Sequence, residues 1–323
     1  MKPLQTLLLC AMVLLPVACS DSGSSENAGH TQVRVQLNWV PEPEFGGFYA
    51  AEAGGSFRNA GLNVQLIPGA VNTPAGQLVA RGSVEIGVVS AEEVLTLTEQ
   101  GAELVALFTT FQRSPFVLVV RADSPWQSLE ELWRSKARAA VEPGLPWIAE
   151  LDRKLGGHAL ELVPYSGQLA PFAAGAVDAT QGFIASEPVQ LRLQGIAVRT
   201  FSLGDSGYDP YAQVVVCSRA WLQAHTSEAT AFVGALRAGW NVYNTDPRST
   251  NAILAKLNPA MSREAMDIAA EVQLPLITAQ GAGAAQVGWM TRERWATLGA
   301  QMLAAGKLKR APADADALFV NLQ

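Results

Sequence analysis

Cysteine is nearly missing: the 323 residues hold three, of which Cys10 lies in an apolar leader and Cys19 directly behind it. Cys217 is left alone in VVVCS, so the chain can build neither a disulfide nor a zinc site, and Cys217 reads as a small apolar strand residue. Histidine is as sparse. None of His30, His158 and His225 sits in a base motif, so Gly204-Asp205-Ser206-Gly207, which matches the nucleophile segment of chymotrypsin-like proteases, reads as a loop. Gly281-Ala282-Gly283 lacks the third glycine of a dinucleotide fingerprint and has Gln286 there, and neither a P-loop nor an HExxH occurs. No cofactor and no metal are expected. Charged residues make up only 16% of the chain, with a formal net charge of −6 and no basic run, which gives nucleic acid no electrostatic footprint.

What is present begins with a leader. Lys2 supplies a minimal basic start and Leu7 to Leu15 an apolar run too short to span a bilayer, the pattern of a secretory signal over residues 1–18. It ends in Pro16-Val17-Ala18-Cys19, which resembles a bacterial lipoprotein signal with Cys19 as the lipidated terminus; the other reading is an ordinary signal peptide cleaved near the same place. Losing the leader removes Lys2 and leaves 22 cationic against 29 anionic side chains, a charge of −7. Residues 19–31 are polar, Gly/Ser-rich and aperiodic, a flexible tether. The expected location is periplasmic or cell-surface, with the lipid as the only contact to a bacterial membrane.

The chain is 49% hydrophobic and long enough for two core-bearing lobes. Val33, Val35 and Leu37 alternate with Arg34, Gln36 and Asn38 at the period of a half-buried strand. The run breaks at Trp39, passes Pro41 and Pro43, restarts as a helix at Gly46-Gly47 and closes with a second apolar run from Leu62 to Ile67, a βαβ unit of a parallel sheet. Val84 to Val89 reads as a doubly buried strand leading into a capping box, Ser90 to Glu93. Strand and helix then trade places through residue 201, arguing for a second parallel α/β lobe, and the chain from Thr226 is helical. Ala229, Phe232, Val233, Leu236, Trp240 and Tyr243 share one helix face and predict core, as do Trp295, Leu298, Met302 and Leu303 in a helix over residues 290–303.

The ordered blocks LNWVP, GGFYAAE, VEIGVVSAEEVL, SPFVLVVRADSP, VDATQGFIASEP, GYDPYAQVVVCSRAWL and FVGALRAGWNVYNTDP resemble the type II solute-binding proteins of ABC importers. The similarity is to the branch related to thiamine-pyrimidine-precursor binding and synthesis, and it runs from about residue 32 nearly to the C-terminus. It implies an α/β clamshell of the periplasmic-binding-protein type II fold, two α/β lobes joined by two hinge crossings. Lobe one would be discontinuous, 32–121 and 211–323, with lobe two at 122–210. The implied partners are a small aromatic ligand and an ABC permease with its ATPase, served by a monomer that performs no bond chemistry and works by hinge closure.

In open α/β sheets ligands sit beyond the carboxyl ends of the strands. That rule selects Asn38, Trp39, Phe45 and the Ser90 turn in lobe one and Gln181, Phe183, Ser186 and Glu187 in lobe two, with Tyr208 and Tyr211 flanking the return crossing. Trp39 is either a stacking face or a wedge between loop and helix. Asn38 suits the edge of a heterocycle or bonds its own turn. Ser90 caps its helix and can leave later N–H groups free for a ligand. Glu187, before Pro188, is a helix-start carboxylate or a ligand acceptor. The resembled pyrimidine binders have Asn-Glu-Pro here, with the Glu accepting from an exocyclic amine; Ser186 replaces that Asn. They and the related synthases often have His where Phe45 stands, and the synthases' cysteine-rich segment is missing, which disfavours synthase activity. LNWVPEPEF, VVSAEE and QGFIASEP carry no Lys or Arg, so a sulfonate, taurine or nitrate ligand is disfavoured and a flat heterocycle is expected, with riboflavin-type vitamins and a sensory role left open.

Overall fold

The alternating run at the start of the domain forms a strand because every second side chain has a core to enter. In the computed structural model, which describes residues 29–278 and 287–323, Val33 and Val35 of that strand are completely buried. The leader, Cys19, the tether up to residue 28 and Gly281-Ala282-Gly283 lie outside the described residues. Among the described residues the strands are β1 Thr31–Gln36, β2 Leu62–Ile67, β3 Ile86–Val89, β4 Leu104–Phe111, β5 Phe116–Arg121, β6 Arg138–Val141, β7 Glu161–Pro164, β8 Ala179–Phe183, β9 Val198–Ser202 and β10 Ala212–Ser218.

They form two five-stranded sheets with one plan: β2-β1-β3-β10-β4 and β7-β6-β8-β5-β9. In each, three parallel strands are followed by one antiparallel strand, β10 or β5, and then an outer strand. The expectation of a wholly parallel second lobe is therefore corrected: both sheets are mixed. The antiparallel strand in each case is the one that arrives from the other lobe. This also moves a boundary. β5 is hydrogen-bonded between β8 and β9, so the outward crossing lies near residues 112–115, before β5 and not after it at 121. The central strand β3 is wholly buried, and so are all eight residues of the outer strand β4, while the edge strand β7 is partly exposed. Cys217 on β10 is wholly buried, and burial pushes its thiol up to about 12, so it is inert packing.

Helices close lobe one by glycine contacts. Gly46 and Gly47 open the helix Gly46–Ala53, where glycine costs about 1 kcal/mol each relative to alanine. The return is closeness: a Cβ on Gly46 would sit 2.3 Å from the Tyr243 ring, one on Gly47 2.3 Å from Trp240, and one on Gly239 2.2 Å from the Gly47 carbonyl. The stripe Ala229 to Tyr243 on the helix Thr226–Thr245 is accordingly core. In the helix Arg292–Ala304, Trp295, Leu298 and Met302 are buried, but Leu303 is 40% exposed, because it lies one residue, about 100° of rotation, off the stripe.

Both crossings are bound to one side chain. Arg294 donates to the Gln112 carbonyl on the outward crossing and to the Asp209 carbonyl at 2.8 Å on the return, with its guanidinium 3.9 Å from the centre of the Tyr211 ring. Asp209 in turn accepts from the Ser114 N–H at 2.6 Å and pairs with Arg113 at 3.0 Å. The Gly204–Ser206 turn belongs to the same region, with Asp205 paired to Arg113.

The glycine contacts yield a paired prediction. Gly47→Ala, which drives a methyl into Trp240, should destabilise the protein by about 2 kcal/mol or more, as overpacking does. Gly234→Ala, on the exposed face of the same helical pair with nothing within 4 Å, should be neutral or stabilise by up to about 1 kcal/mol. Urea denaturation of the two variants checks the difference; equal midpoints would remove the packing account.

Candidate ligand-binding cleft

Strand polarity gathers the site. The parallel strands of both sheets end at one cleft, and the antiparallel β5 and β10 begin there. A cavity of about 260 Å³ lies between the lobes, lined from lobe one by residues that follow β1, β2 and β3 and from lobe two by residues that follow β6, β7 and β8. Phe116 and Gln213, at the starts of β5 and β10, complete it.

After β1 the chain is pinned before it turns. The Leu37 N–H donates to the Ile67 carbonyl at 2.9 Å, and the Gly69 N–H to the Trp39 carbonyl at 2.9 Å. Gly69 allows this approach, since a Cβ there would lie 2.4 Å from the Leu37 carbonyl oxygen. Asn38 and Trp39 are half-buried and line the cavity; the Asn38 Oδ1 has no hydrogen-bond partner. Trp39 reaches toward lobe two, where a Cβ on Gly167 would come within 3.4 Å of its indole.

The next residues were missed as site residues by sequence reasoning. Glu42 precedes Pro43, which forces extended backbone (φ −136°, ψ 170°), and the short turn Pro43–Phe45 follows. Glu42 and Glu44 thereby point into the cavity, while Phe45 turns away and is completely buried, edge-on to Phe48 at 6.2 Å. The assignment of Phe45 to the ligand is corrected: the cavity side of PEPEF belongs to its acids. Their two-residue spacing, each directly after a proline, was the available signal.

Lobe two presents the reciprocal wall. Phe183 lines the cavity with its ring edge-on to Phe116 at 4.7 Å, and Gln181 accepts from the Glu142 N–H at 2.7 Å. Glu187 accepts from the Phe183 N–H at 2.7 Å and from the Tyr165 hydroxyl at 2.8 Å. The Ser186 hydroxyl donates across the cleft to Glu42 at 2.7 Å, a direct bond between the lobes. Tyr165 and Glu142 follow β7 and β6 and were open to the same strand-end rule that selected Gln181.

Ser90 also lines the cavity and caps its helix, accepting from the Glu93 N–H at 3.1 Å. The reciprocal half of that capping box is not made; the Glu93 carboxylate accepts from the Gly76 N–H at 3.3 Å and faces the cavity. Two further expectations fail. Tyr208 is buried at the hinge with its hydroxyl donating to Glu92 at 3.0 Å, and Tyr211 lies under Arg294 with its hydroxyl accepting from the Thr291 N–H at 2.9 Å. Neither lines the cavity, because both are spent bracing the return crossing.

The electrostatics are one-sided. Among the described residues Glu42, Glu44, Glu93, Glu142 and Glu187 line the cavity and no lysine or arginine does. Burial pushes the Glu42 carboxyl up to about 7, helped by the charge of Glu187 and opposed by hydrogen bonds from Ser186 and Trp39. Glu44 is held well above the usual carboxylate range by burial and then by Glu42 and Glu187, against the Gln213 amide that donates to it at 2.8 Å. Burial raises Glu93 to about 7 and raises Glu142 and Glu187 as well. The two non-glycine residues with positive φ among those described, Asn72 (62°) and Gln213 (53°), both line this cavity, so backbone strain is concentrated there. An outer cavity of about 620 Å³ shares Trp39, Glu42, Tyr165, Ser186 and Glu187 with the inner one as a common wall. Among the described residues no helix is long and apolar enough to cross a membrane.

Comparison with known proteins agrees with this architecture. Residues 42–250 match the family model described as NMT1/THI5 like. The chain is similar to a riboflavin-binding protein, RibY, of Chloroflexus aurantiacus, 23% identical over 95% of this chain and 90% of that protein. It is also similar to the formylaminopyrimidine-binding protein of Halalkalibacterium halodurans, 24% identical over 80% and 81%. Enzymes occur among the similar proteins too, a 4-amino-5-hydroxymethyl-2-methylpyrimidine phosphate synthase of Uromyces fabae at 22% identity over 72% of each chain included. In fold it matches the alkanesulfonate-binding protein SsuA of Xanthomonas axonopodis pv. citri bound to MOPS, with a TM-score of 0.67 at 16% identity over 90% of this chain and 98% of that one. This chain is a member of the NMT1/THI5-like family, with the two-lobed, SsuA-type fold of periplasmic binding proteins.

Proposed function

We propose that this chain is a solute-binding protein that captures a small flat heterocycle, of the thiamine-pyrimidine-precursor kind, between its lobes and hands it to an ABC permease and ATPase from a lipid-anchored position outside a bacterial membrane. The observation that carries this reading is the inner cavity, about 260 Å³, walled by Trp39, Tyr165 and Phe183 and furnished with carboxyl and amide acceptors but no lysine or arginine. Ligand pockets for drug-sized molecules run to about 300–1,000 Å³, so this one suits a single ring better than a flavin with its side chain. The name of the formylaminopyrimidine-binding relative supports the same class. A sulfonate or nitrate would meet five glutamates and no cation, an arrangement that opposes anions. Synthase chemistry finds no support either: Phe45 is in the core, and Cys217 is buried within β10.

Trp39, Asn38, Ser90, Gln181, Phe183 and Glu187 are the residues proposed to touch ligand, joined by Glu42, Glu44 and Tyr165. Calorimetric titration with formylaminopyrimidine, 4-amino-5-hydroxymethyl-2-methylpyrimidine, riboflavin, taurine and nitrate tests the class. Binding of a pyrimidine one-to-one, with recovery of the compound intact, is the expected result; turnover, or binding of taurine alone, would overturn it. Trp39→Ala should weaken pyrimidine binding at least tenfold, ~1.4 kcal/mol. Retained affinity with a collapsed melt would make Trp39 a wedge between loop and helix.

The carboxylates also set a pH dependence. Their protons are held more tightly in the folded protein than in the unfolded chain, so the folded state binds more protons between the ordinary carboxylate range and about pH 7. Stability is complete below that window and is lost as pH rises through it. The ligand-free protein should therefore melt at progressively lower temperature from pH 5 to pH 8, and Glu42→Gln, which cannot ionise, should flatten the fall by an amount on the order of 3 kcal/mol. A melting temperature that rises over that interval, or a slope unchanged in Glu42→Gln, would contradict the burial of an ionisable Glu42.

A further inference from the structure

The groups around the inner cavity offer more acceptors than a neutral ring can use. Glu42, Glu44 and Glu187 come from both lobes and are each at least nine-tenths buried, at 7%, 6% and 9% exposure. Donors of the protein occupy only part of them. Ser186 serves Glu42, the Gln213 amide serves Glu44, and Tyr165 with the Phe183 N–H serves Glu187. An ionised carboxylate has about four acceptor sites. Independently of the acids, Gln213 is 4% exposed and held in a strained backbone conformation on the cavity wall, with its Oε1 left without any partner. An unpartnered buried carbonyl on such a wall marks a place where a donor belongs, since leaving it empty costs about 1–3 kcal/mol. Asn38 Oδ1 adds a second unpartnered acceptor on the same wall.

Two kinds of guest supply positive charge to such a site. A metal ion is one, yet among the described residues no three carboxylate, imidazole or thiolate groups converge as a metal site. A planar organic cation is the other, and the remaining wall suits it: Trp39, Tyr165 and Phe183 line the cavity, and a cation is drawn to an aromatic ring as well as to a carboxylate.

We infer, building on the reading that this cleft holds a flat heterocycle, that the ligand is bound as a nitrogen cation, a planar amidinium-type N–H face set against Glu42, Glu44 and Gln213. The charge is either permanent or gained when a ring nitrogen of an aminopyrimidine takes up a proton in the site. The ionised carboxylates that are costly in the empty cleft then become its counter-charges, and the cation satisfies acceptors of lobe one while Glu187 holds the lobe-two side.

The test uses ring-matched probes that differ in the charge and the N–H donors of a single substituent. Benzamidine is a cation, benzamide its neutral counterpart and benzoate the anion; methylguanidinium carries the charge without the aromatic ring. Titrated calorimetrically into the protein near neutral pH, benzamidine should bind at least tenfold tighter than benzamide, and benzoate should not bind. The double variant Glu42→Gln, Glu44→Gln should bring the benzamidine-to-benzamide ratio close to one while melting no lower than the parent. Equal binding of benzamide and benzamidine would overturn the cation and leave the flat-ring reading standing. Methylguanidinium binding with none of the ring probes would do the reverse. Silence from every probe would overturn both, and a ratio unmoved in the double variant would remove Glu42 and Glu44 as its seat.

Discussion

Carboxylates buried without a cation are the constraint on which this cleft depends. Moving an ionised carboxylate out of water costs several kcal/mol unless it is paired, and groups that lack a partner shift toward their neutral form instead. Glu42 and Glu44 stand on one lobe and Glu187 on the other, so bringing the lobes together also brings like charges together. The Ser186 hydroxyl on Glu42 offsets part of that, and it is a neutral donor serving one oxygen. The observed contact between the lobes is thus held by hydrogen bonding and opposed by its own charge. In the proposed function that balance is useful, because a guest shifts an equilibrium only by the difference in its affinity for the two states. A donor-rich guest touches both lobes in the shut state and one lobe in the open state.

The hinge is where the fold spends its other polar side chains. Arg294, from the C-terminal part of the chain, donates to both crossings and covers Tyr211, and Asp209 binds the outward crossing from the return one. Tyr208 bonds Glu92 on the helix Ala91–Glu99. Two strands that connect lobes are weak mechanical links unless their carbonyls and N–H groups are answered. Here a guanidinium with five donors answers carbonyls on both at once. The crossings are therefore tied to each other and to lobe one, which leaves bending to the residues between those ties and the sheets.

What could be read in the chain before its structure follows from periodicity. β1, the helix Gly46–Ala53 and β2 were legible because alternation, glycine and proline are local signals, and the core stripe Ala229 to Tyr243 because helical spacing is. The strand-end rule placed Asn38, Trp39, Ser90, Gln181, Phe183 and Glu187 on the cavity wall, and applied to β6 and β7 it would also have reached Glu142 and Tyr165. Direction of pairing was not legible. β5 looks like any apolar strand, and only its partners β8 and β9 assign it to the second sheet. Phe45 failed for a related reason: an aromatic beside a cleft loop reads as a ligand face, whereas side-chain direction in PEPEF is set by extended backbone at Glu42, which sends 42 and 44 one way and 45 the other. Tyr208 and Tyr211 failed because hinge bracing uses the same residue type as ligand stacking, and sequence does not separate the two.

The same two-lobed frame is found in an alkanesulfonate-binding protein bound to MOPS, at a TM-score of 0.67, so the frame alone does not fix the chemistry of the cleft. The frame supplies strand ends from two sheets facing each other and says nothing about sign. Sign comes from a few positions in the loops that follow the strands. In this chain those positions hold Glu42, Glu44, Glu93, Glu142 and Glu187, and among the described residues no lysine or arginine lines the cavity to oppose them. A guest that lacks donors would leave those oxygens and the Gln213 carbonyl buried without partners, a loss that falls on the wrong ligand alone. Discrimination of this kind is steep where polar groups are concerned, since an unanswered buried acceptor costs far more than a missing methylene. In the proposed function, specificity rests more on what these carboxylates reject than on the area the aromatic rings bury.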